Sequence, residues 1–131
     1  MKNKIILILL SIAVCSFQPA SKKPDCKSLR TGTFQIKMKD GSTHLIIRSK
    51  QGQVEKIVET GTLSQMKIKW VTECMYILYD RIVFTGSNPH SELNQDTLYN
   101  EILRIDGNQH TVASGFLRYT FNVESVLTKI K

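Results

Sequence analysis

Three cysteines are the residues of this chain that most readily take part in chemistry: Cys15, Cys26 and Cys74. Cys74 lies between two strand-like runs in the stretch KWVTECMYILYDR, residues 69–81. A cysteine in this position is a nucleophile, a metal ligand, half of a disulfide or a small buried residue. Each role needs different neighbours, so the rest of the sequence has to distinguish between them.

A catalytic Cys74 needs a neighbouring base or cation that stabilises its thiolate. The histidines, His44, His90 and His110, all lie in or next to predicted turns, and no local motif pairs one of them with Cys74. The sequence has no Cys-x-x-Cys, no His-x-x-x-His, no dense carboxylate cluster and no glycine-rich phosphate loop. We therefore predict a protein that is not an enzyme and that has neither a metal site nor a cofactor.

The N-terminus has the pattern of an export signal. Residues 1–4 are basic and residues 5–14 are almost purely apolar, which is typical of a secretory signal peptide. The apolar run is shorter than the roughly 20 residues that span a bilayer. We predict a signal peptide over residues 1–20 and an exported protein that is periplasmic, envelope-associated or secreted. Lipid attachment at Cys15 is the less favoured alternative, because Val14 occupies a position where the lipidation signal has a small residue.

Export determines how the remaining cysteines are interpreted. Cleavage would remove Cys15 and leave Cys26 and Cys74 in a chain bound for an oxidising compartment, where an even pair suggests a disulfide. This bond would join the segment before the first strand to the start of the fifth. Residues 21–30 read as an exposed basic leader, and residues 31–131 as a single β domain.

The formal net charge of +7 raises the question of a nucleic-acid partner. Proteins that bind single strands place basic and aromatic side chains on the same sheet face. Here Lys67 and Lys69 alternate with Met66 and Trp70, so the charges and the apolar groups fall on opposite faces. We expect no nucleic-acid partner and no transmembrane span in the mature chain.

Turn signals and alternating residues predict an all-β fold. Asp40-Gly41 and Asp106-Gly107 separate runs rich in β-branched and aromatic residues, as in hairpins. Sequential strands with short turns form an antiparallel meander, which we predict to be a small up-and-down barrel or a strongly curved sheet of seven or eight strands. The candidate strands are residues 31–39, 43–50, 53–60, 63–72, 74–84, 96–106, 109–114 and 116–124.

Three parts of this pattern leave alternatives open. Residues 96–106 also fit one helical face, although we favour a strand. The tail, residues 123–131, fits a last strand or a short helix. Residues 75–84 are apolar at nearly every position, which predicts a strand covered on both sides for part of its length. Residues 85–95 form the longest break between strands.

The inward-facing set of this sheet forms either a filled core or the lining of a ligand cavity. Two arginines, Arg48 and Arg118, stand between apolar neighbours, where each would cap a barrel end, pair with Glu55 or Glu124, or be solvated. We predict that the ligand-binding residues of the interior are Phe34, Ile36, Met66, Ile68, Trp70, Tyr76, Tyr119 and Phe121.

Three groups of residues carry a resemblance to known proteins. A family of small, secreted, uncharacterised bacterial β-rich proteins is similar in Cys26-x-x-Leu29-x-x-Gly32-x-Phe34, in Arg48 with Gln53 and Glu55, and in Trp70-x-x-x-Cys74-x-Tyr76-x-Leu78. This resemblance covers about the first half of the mature chain and implies an envelope or secreted location and a Cys26–Cys74 disulfide. Gly32-x-Phe34 and Arg118 also resemble the Gly-x-Trp and the arginine of lipocalin-like (calycin) barrels, in which the aromatic ring packs under the arginine at the closed end.

These observations predict an exported binding module without enzymatic activity, whose partner is a small apolar ligand or a protein of the cell envelope. The alternative is a structural or interaction protein, such as an inhibitor or assembly factor, that acts through the loop of residues 85–95.

Overall fold

The computed structural model describes residues 23–86, 95–116, 120 and 123–131, and these form eight antiparallel strands in a closed barrel. A short 3-10 helix, Cys26–Leu29, precedes the first strand. The strands are β1 (Gly32–Lys37), β2 (Thr43–Arg48), β3 (Gln53–Ile57), β4 (Leu63–Trp70), β5 (Met75–Thr85), β6 (Leu98–Asp106), β7 (Gln109–Gly115) and β8 (Val123–Lys129).

The strand order is that of an up-and-down meander, as the sequence predicts. Each strand pairs with the next one in the chain, and β8 pairs with β1 to close the barrel. Closure removes the exposed edges that an open sheet of this size would present. Both ambiguous segments are strands, since residues 98–106 form β6 and most of the tail forms β8. The predicted strand over residues 116–124 lies largely outside the described residues.

Two turns depend on glycine. Gly107 has a φ of 60° in the tight turn between β6 and β7, a conformation that costs other residues energy. Gly52 lies in the turn between β2 and β3, where a Cβ atom would come 2.5 Å from the carbonyl oxygen of Met66. The two turns lie at the same end of the barrel as the first residues of β1.

The 3-10 helix covers this end of the barrel and closes it. Cys26 and Leu29 are buried, and the disulfide from Cys26 to Cys74 joins the helix to the turn between β4 and β5. The predicted disulfide is thus confirmed. Residues 26–29 are a packed part of the domain, and the prediction that residues 21–30 form an exposed leader is wrong for Cys26 and Leu29. Among the described residues, no helix has the length and apolar character needed to cross a membrane.

The core is the inner face of the barrel, toward which alternate residues of a strand point. Phe34, buried in β1, lies near the closed end, where its ring contacts that of His110 on β7 edge to face with centroids 5.2 Å apart. The other buried apolar residues of the strands are Ile46, Met66, Tyr76, Leu78, Ile102, Val112, Ala113 and Leu127.

Strand β5 differs from its prediction. Tyr76 and Leu78 are buried, but Ile82 and Phe84 are 58% and 57% exposed, so the strand is not covered on both sides. An irregularity in the pairing of β4 with β5 places an extra residue on β5, near Asp80, whose φ is 52°. A bulge of this kind reverses which residues of the strand point inward and which point outward. Ile82 and Phe84 therefore lie on the outer face of the barrel, which no second layer covers in the described part of the chain.

Candidate functional site

A cavity of about 310 Å³ occupies the barrel interior and extends toward the end opposite the 3-10 helix. Its mouth includes the partly exposed side chains of Met38, Phe116 and Val123. Most of its wall is aliphatic, because the strands turn these side chains inward: Ile36, Ile46, Met66, Leu78, Leu98, Val112 and Leu127. The interior is therefore hollow above the closed end, and not a completely filled core.

Arg48 forms the floor of the cavity together with Gln53 and Tyr76. It ends β2 with its side chain turned inward and is only 3% exposed. Its Nε donates to Gln53 Oε1 at 2.9 Å, and its Nη2 donates to the Tyr76 hydroxyl at 2.6 Å. The Nη1 group donates to the carbonyl oxygen of Leu29 at 3.2 Å, which ties the floor to the 3-10 helix. Arg48 therefore caps the closed end, one of the roles the sequence allowed.

Aromatic rings surround the same guanidinium group. Its central carbon lies 4.8 Å from the ring centroid of Phe34 and 4.7 Å from that of Tyr76. The centroids of the Trp70 and Tyr76 rings are 4.7 Å apart. The guanidinium carbon of Arg30 lies 4.9 Å from the centroid of the Trp70 ring. Burial raises the pKa of Tyr76, and the positive charge of Arg48 opposes this rise. The phenol is thus neutral at physiological pH and keeps its proton for a hydrogen bond.

A His–Glu pair lies on the cavity wall at the start of β2. His44 Nδ1 is 2.6 Å from Glu55 Oε1 on β3, and both residues line the cavity. The hydrogen bond that His44 makes to Glu55 raises the pKa of His44, although partial burial opposes this rise. On the far side, Ser42 Oγ lies 3.3 Å from His44 Nε2 but donates its proton to Asp40 Oδ1 at 2.6 Å. Because its proton goes to Asp40, Ser42 is not arranged as a nucleophile activated by His44.

The opposite wall carries an uncharged polar pair. Ser114 Oγ on β7 donates to Asn100 Oδ1 on β6 at 2.7 Å, and Asn100 Nδ2 donates to the carbonyl oxygen of Leu98 at 3.0 Å. Both side chains line the cavity. A mainly apolar wall with a few fixed polar groups is typical of small-molecule sites, where the polar groups orient the ligand.

His110 is buried below the cavity with neither ring nitrogen hydrogen-bonded among the described residues. Burial lowers its pKa to about 4, and the charges of Arg48 and Lys129 add to this effect. The sequence pattern places His110 next to a predicted turn, which does not by itself indicate a buried ring. The turn ends before Gln109, where β7 begins, so His110 is the second residue of the strand. The strand points its ring inward against Phe34.

The barrel wall is interrupted beside the cavity, between β1 and β8. These strands pair over only three positions, from Phe34 opposite Lys129 to Ile36 opposite Leu127. Farther toward the mouth, a groove lies between residues 37–40 of the β1 side and residues 123–126 of β8. Four residues line both the groove and the cavity: Ile36, Met38, Val123 and Ser125.

The structure divides six of the predicted ligand-binding residues between the cavity and the packed core. Ile36, Met66 and Tyr76 line the cavity, whereas Phe34, Ile68 and Trp70 pack in or against the core nearer the closed end. Tyr119 and Phe121 lie outside the described residues, as does Arg118. The sequence prediction missed Asn100 and Ser114 and did not assign His44 or Glu55 to the interior. Gln53 and Glu55 are two residues apart in one strand, so they point to the same face, and this spacing is the signal that could have identified Glu55.

Cys74 is half of a disulfide. Its sulfur is bonded to Cys26, so it is neither a thiolate nucleophile nor a metal ligand. Within residues 23–86, 95–116, 120 and 123–131, no three histidine, cysteine or carboxylate side chains meet in a way that could hold a metal ion. Comparisons with protein-family models, curated proteins and solved structures found no match.

Proposed function

We propose that this protein is an exported binding module that holds one small, largely apolar ligand inside its barrel. The observation that supports this most directly is the cavity of about 310 Å³ with its mainly aliphatic wall. Eight-stranded barrels either fill their interior with side chains or leave room for one small ligand. A few larger side chains on the wall would fill this interior. The presence of a cavity instead favours the binding of a small ligand.

The size of the cavity limits the ligand. A water molecule takes about 30 Å³ of liquid volume, so 310 Å³ corresponds to about ten non-hydrogen atoms of ligand. This volume lies at the lower end of the range for small-molecule pockets, about 300–1,000 Å³. Burial of an aliphatic chain of this size contributes about 0.8 kcal/mol for each CH₂ group.

The proposed location is the cell envelope or the extracellular space. The signal-like sequence of residues 1–20 supports export, and the Cys26–Cys74 disulfide is compatible with an oxidising compartment. A barrel of this kind would carry or sequester its ligand outside the cytoplasm. Its action is binding, and the polar wall groups serve to orient the ligand.

Native mass spectrometry of the exported protein tests this proposal. We expect the purified protein to carry a small non-covalent ligand that is released on denaturation. Val112→Phe fills the cavity from its wall and should remove the ligand. Val126→Phe makes the same change on β8 at a side chain that is 47% exposed, and should retain it. A wild-type protein without ligand, or a ligand retained in Val112→Phe, would contradict the proposal.

A further inference from the structure

We propose that the ligand carries a carboxylate head group, which binds to Arg48 and Tyr76 at the cavity floor while its aliphatic part extends toward the mouth. This inference rests on the proposed function and specifies the chemical class of the ligand. It is supported by the hydrogen bonds of Arg48, by the charges that face the cavity and by the order of polar and apolar groups along its length.

Arg48 has donors left over for a ligand. A guanidinium group has five N–H donors, and three of them are used by Gln53, Leu29 and Tyr76. One N–H on Nη1 and one on Nη2 have no acceptor among the described residues. These two nitrogens belong to a side chain that lines the cavity, and two guanidinium N–H groups match the two oxygens of a carboxylate.

The charge of Arg48 has no opposite charge paired with it in the described part of the chain. Taking a charged group out of water costs several kcal/mol unless an opposite charge lies beside it. Within the described part of the chain, no carboxylate forms an ion pair with Arg48. Glu55 is the carboxylate that lines the cavity, and it is bound to His44 at 2.6 Å. The floor of the cavity thus presents a buried cation with room above it for an anion.

Tyr76 adds a donor next to the guanidinium group. Its hydroxyl oxygen accepts the hydrogen bond from Arg48 at 2.6 Å, so its own proton is free to be donated elsewhere. Because Tyr76 and Arg48 both line the cavity and their polar groups are in contact, one carboxylate can accept hydrogen bonds from the two of them at once. Charge-assisted hydrogen bonds of this kind are stronger than neutral ones.

The wall above the floor fits the rest of such a molecule. Ile46, Leu78 and Val112 line the cavity between the floor and the mouth, where they provide contacts for an aliphatic chain. With space for about ten non-hydrogen atoms, the cavity matches a saturated carboxylate of about eight carbons. Octanoate is therefore the probe of choice, and 1-octanol and octylamine are matched probes with a neutral and a cationic head group.

The test measures the affinity of the three probes by isothermal titration calorimetry at neutral pH. We expect wild-type protein to bind octanoate about tenfold more tightly than 1-octanol, and octylamine most weakly. Arg48→Met should remove the preference for octanoate while leaving the affinity for 1-octanol within about twofold. Tyr76→Phe loses only a hydroxyl and should reduce the preference severalfold. Because the wild-type series and Tyr76→Phe do not depend on Arg48→Met being folded, they test the proposal by themselves.

Arg30→Met is the matched control. Arg30 also lies over an aromatic ring, that of Trp70, but it does not line the cavity, so the variant should keep the wild-type order of affinities. Equal affinity of wild-type protein for octanoate and 1-octanol would overturn the head-group proposal and leave the binding function standing. Failure of all three probes to bind would overturn both.

Discussion

The guanidinium carbon of Arg48 lies 4.8 Å from the centroid of the Phe34 ring, at the boundary between the hollow and the filled parts of the barrel. On one side of this contact is the cavity, and on the other are the 3-10 helix and the disulfide that holds it. A single side chain thus connects the floor of the site, through its hydrogen bond to Leu29, with the segment that closes the barrel.

We predict that Arg48 and Phe34 are energetically coupled. A cation over an aromatic ring contributes about 2 kcal/mol when both are removed from water. In a double-mutant cycle with Arg48→Met and Phe34→Leu, urea unfolding should give a coupling energy of about 1–2 kcal/mol. The partly exposed pair of Arg30 and Trp70, measured in the same way, should give less. Strictly additive effects of the two substitutions would refute the coupling.

His110 should make the protein sensitive to acid. In the folded state its pKa is about 4, against an ordinary value of 6.5, because it is buried. Between these two values the unfolded chain binds more protons, so stability falls as the pH falls from 6.5 to about 4. The loss attributable to this group is on the order of 3 kcal/mol. His110→Leu should lack this part of the pH dependence in denaturant unfolding, and identical profiles for the two proteins would show that the ring is protonated freely in the folded state.

His44 should behave in the opposite way. Its hydrogen bond to Glu55 raises its pKa in the folded state, so its contribution to stability is complete below about pH 6.5 and is lost as the pH rises through the folded value. Glu55→Gln should lower the pKa of His44, as measured by NMR titration of the imidazole protons. Glu59→Gln, which removes a more distant carboxylate, should change it little. A pKa of His44 that is unaffected by Glu55→Gln would contradict the pairing.

The disulfide should provide a large part of the stability. Cys26 and Cys74 are 48 residues apart, and closing a loop of this length contributes about 4 kcal/mol in the loop-entropy model. The double variant Cys26→Ala/Cys74→Ala should therefore unfold at much lower urea concentration than the wild type. In the purified, non-reduced protein, neither cysteine should react with an alkylating agent. Labelling at Cys74 would show a free thiol and contradict the bond.

Local sequence patterns were sufficient to predict the barrel because several strands alternate and Asp-Gly pairs mark two of the turns. Phe34 and Ile36 on β1 face inward as predicted, and the Asp-Gly turns lie where the hairpins turn. The disulfide was predictable because two cysteines follow the signal-like segment of residues 1–20. The strands and turns depend on residues that are neighbours in the sequence, and the disulfide depends on the number of cysteines. None of them depends on how distant strands are aligned.

The site depends on long-range alignment, which a single sequence does not specify. Pairing of β1 with β2 sets Arg48 opposite Gly32, so that its side chain reaches the ring of Phe34. The lipocalin resemblance pointed to Arg118 for this role, and that residue lies outside the described part of the chain. The reversal of β5 near Asp80 was equally unpredictable, because one extra residue in a ladder leaves no signature in composition.

The most direct test of the binding function is an NMR titration of the methyl groups with 1-octanol, whose uncharged head group makes the result independent of the carboxylate proposal. Ligand in the barrel predicts shifts at Ile46, Leu78 and Val112, which line the cavity. The outward methyl groups of Ile82 and Val126 should remain unchanged. Shifts at Ile82 and Val126 with an unperturbed interior would contradict a ligand site inside the barrel.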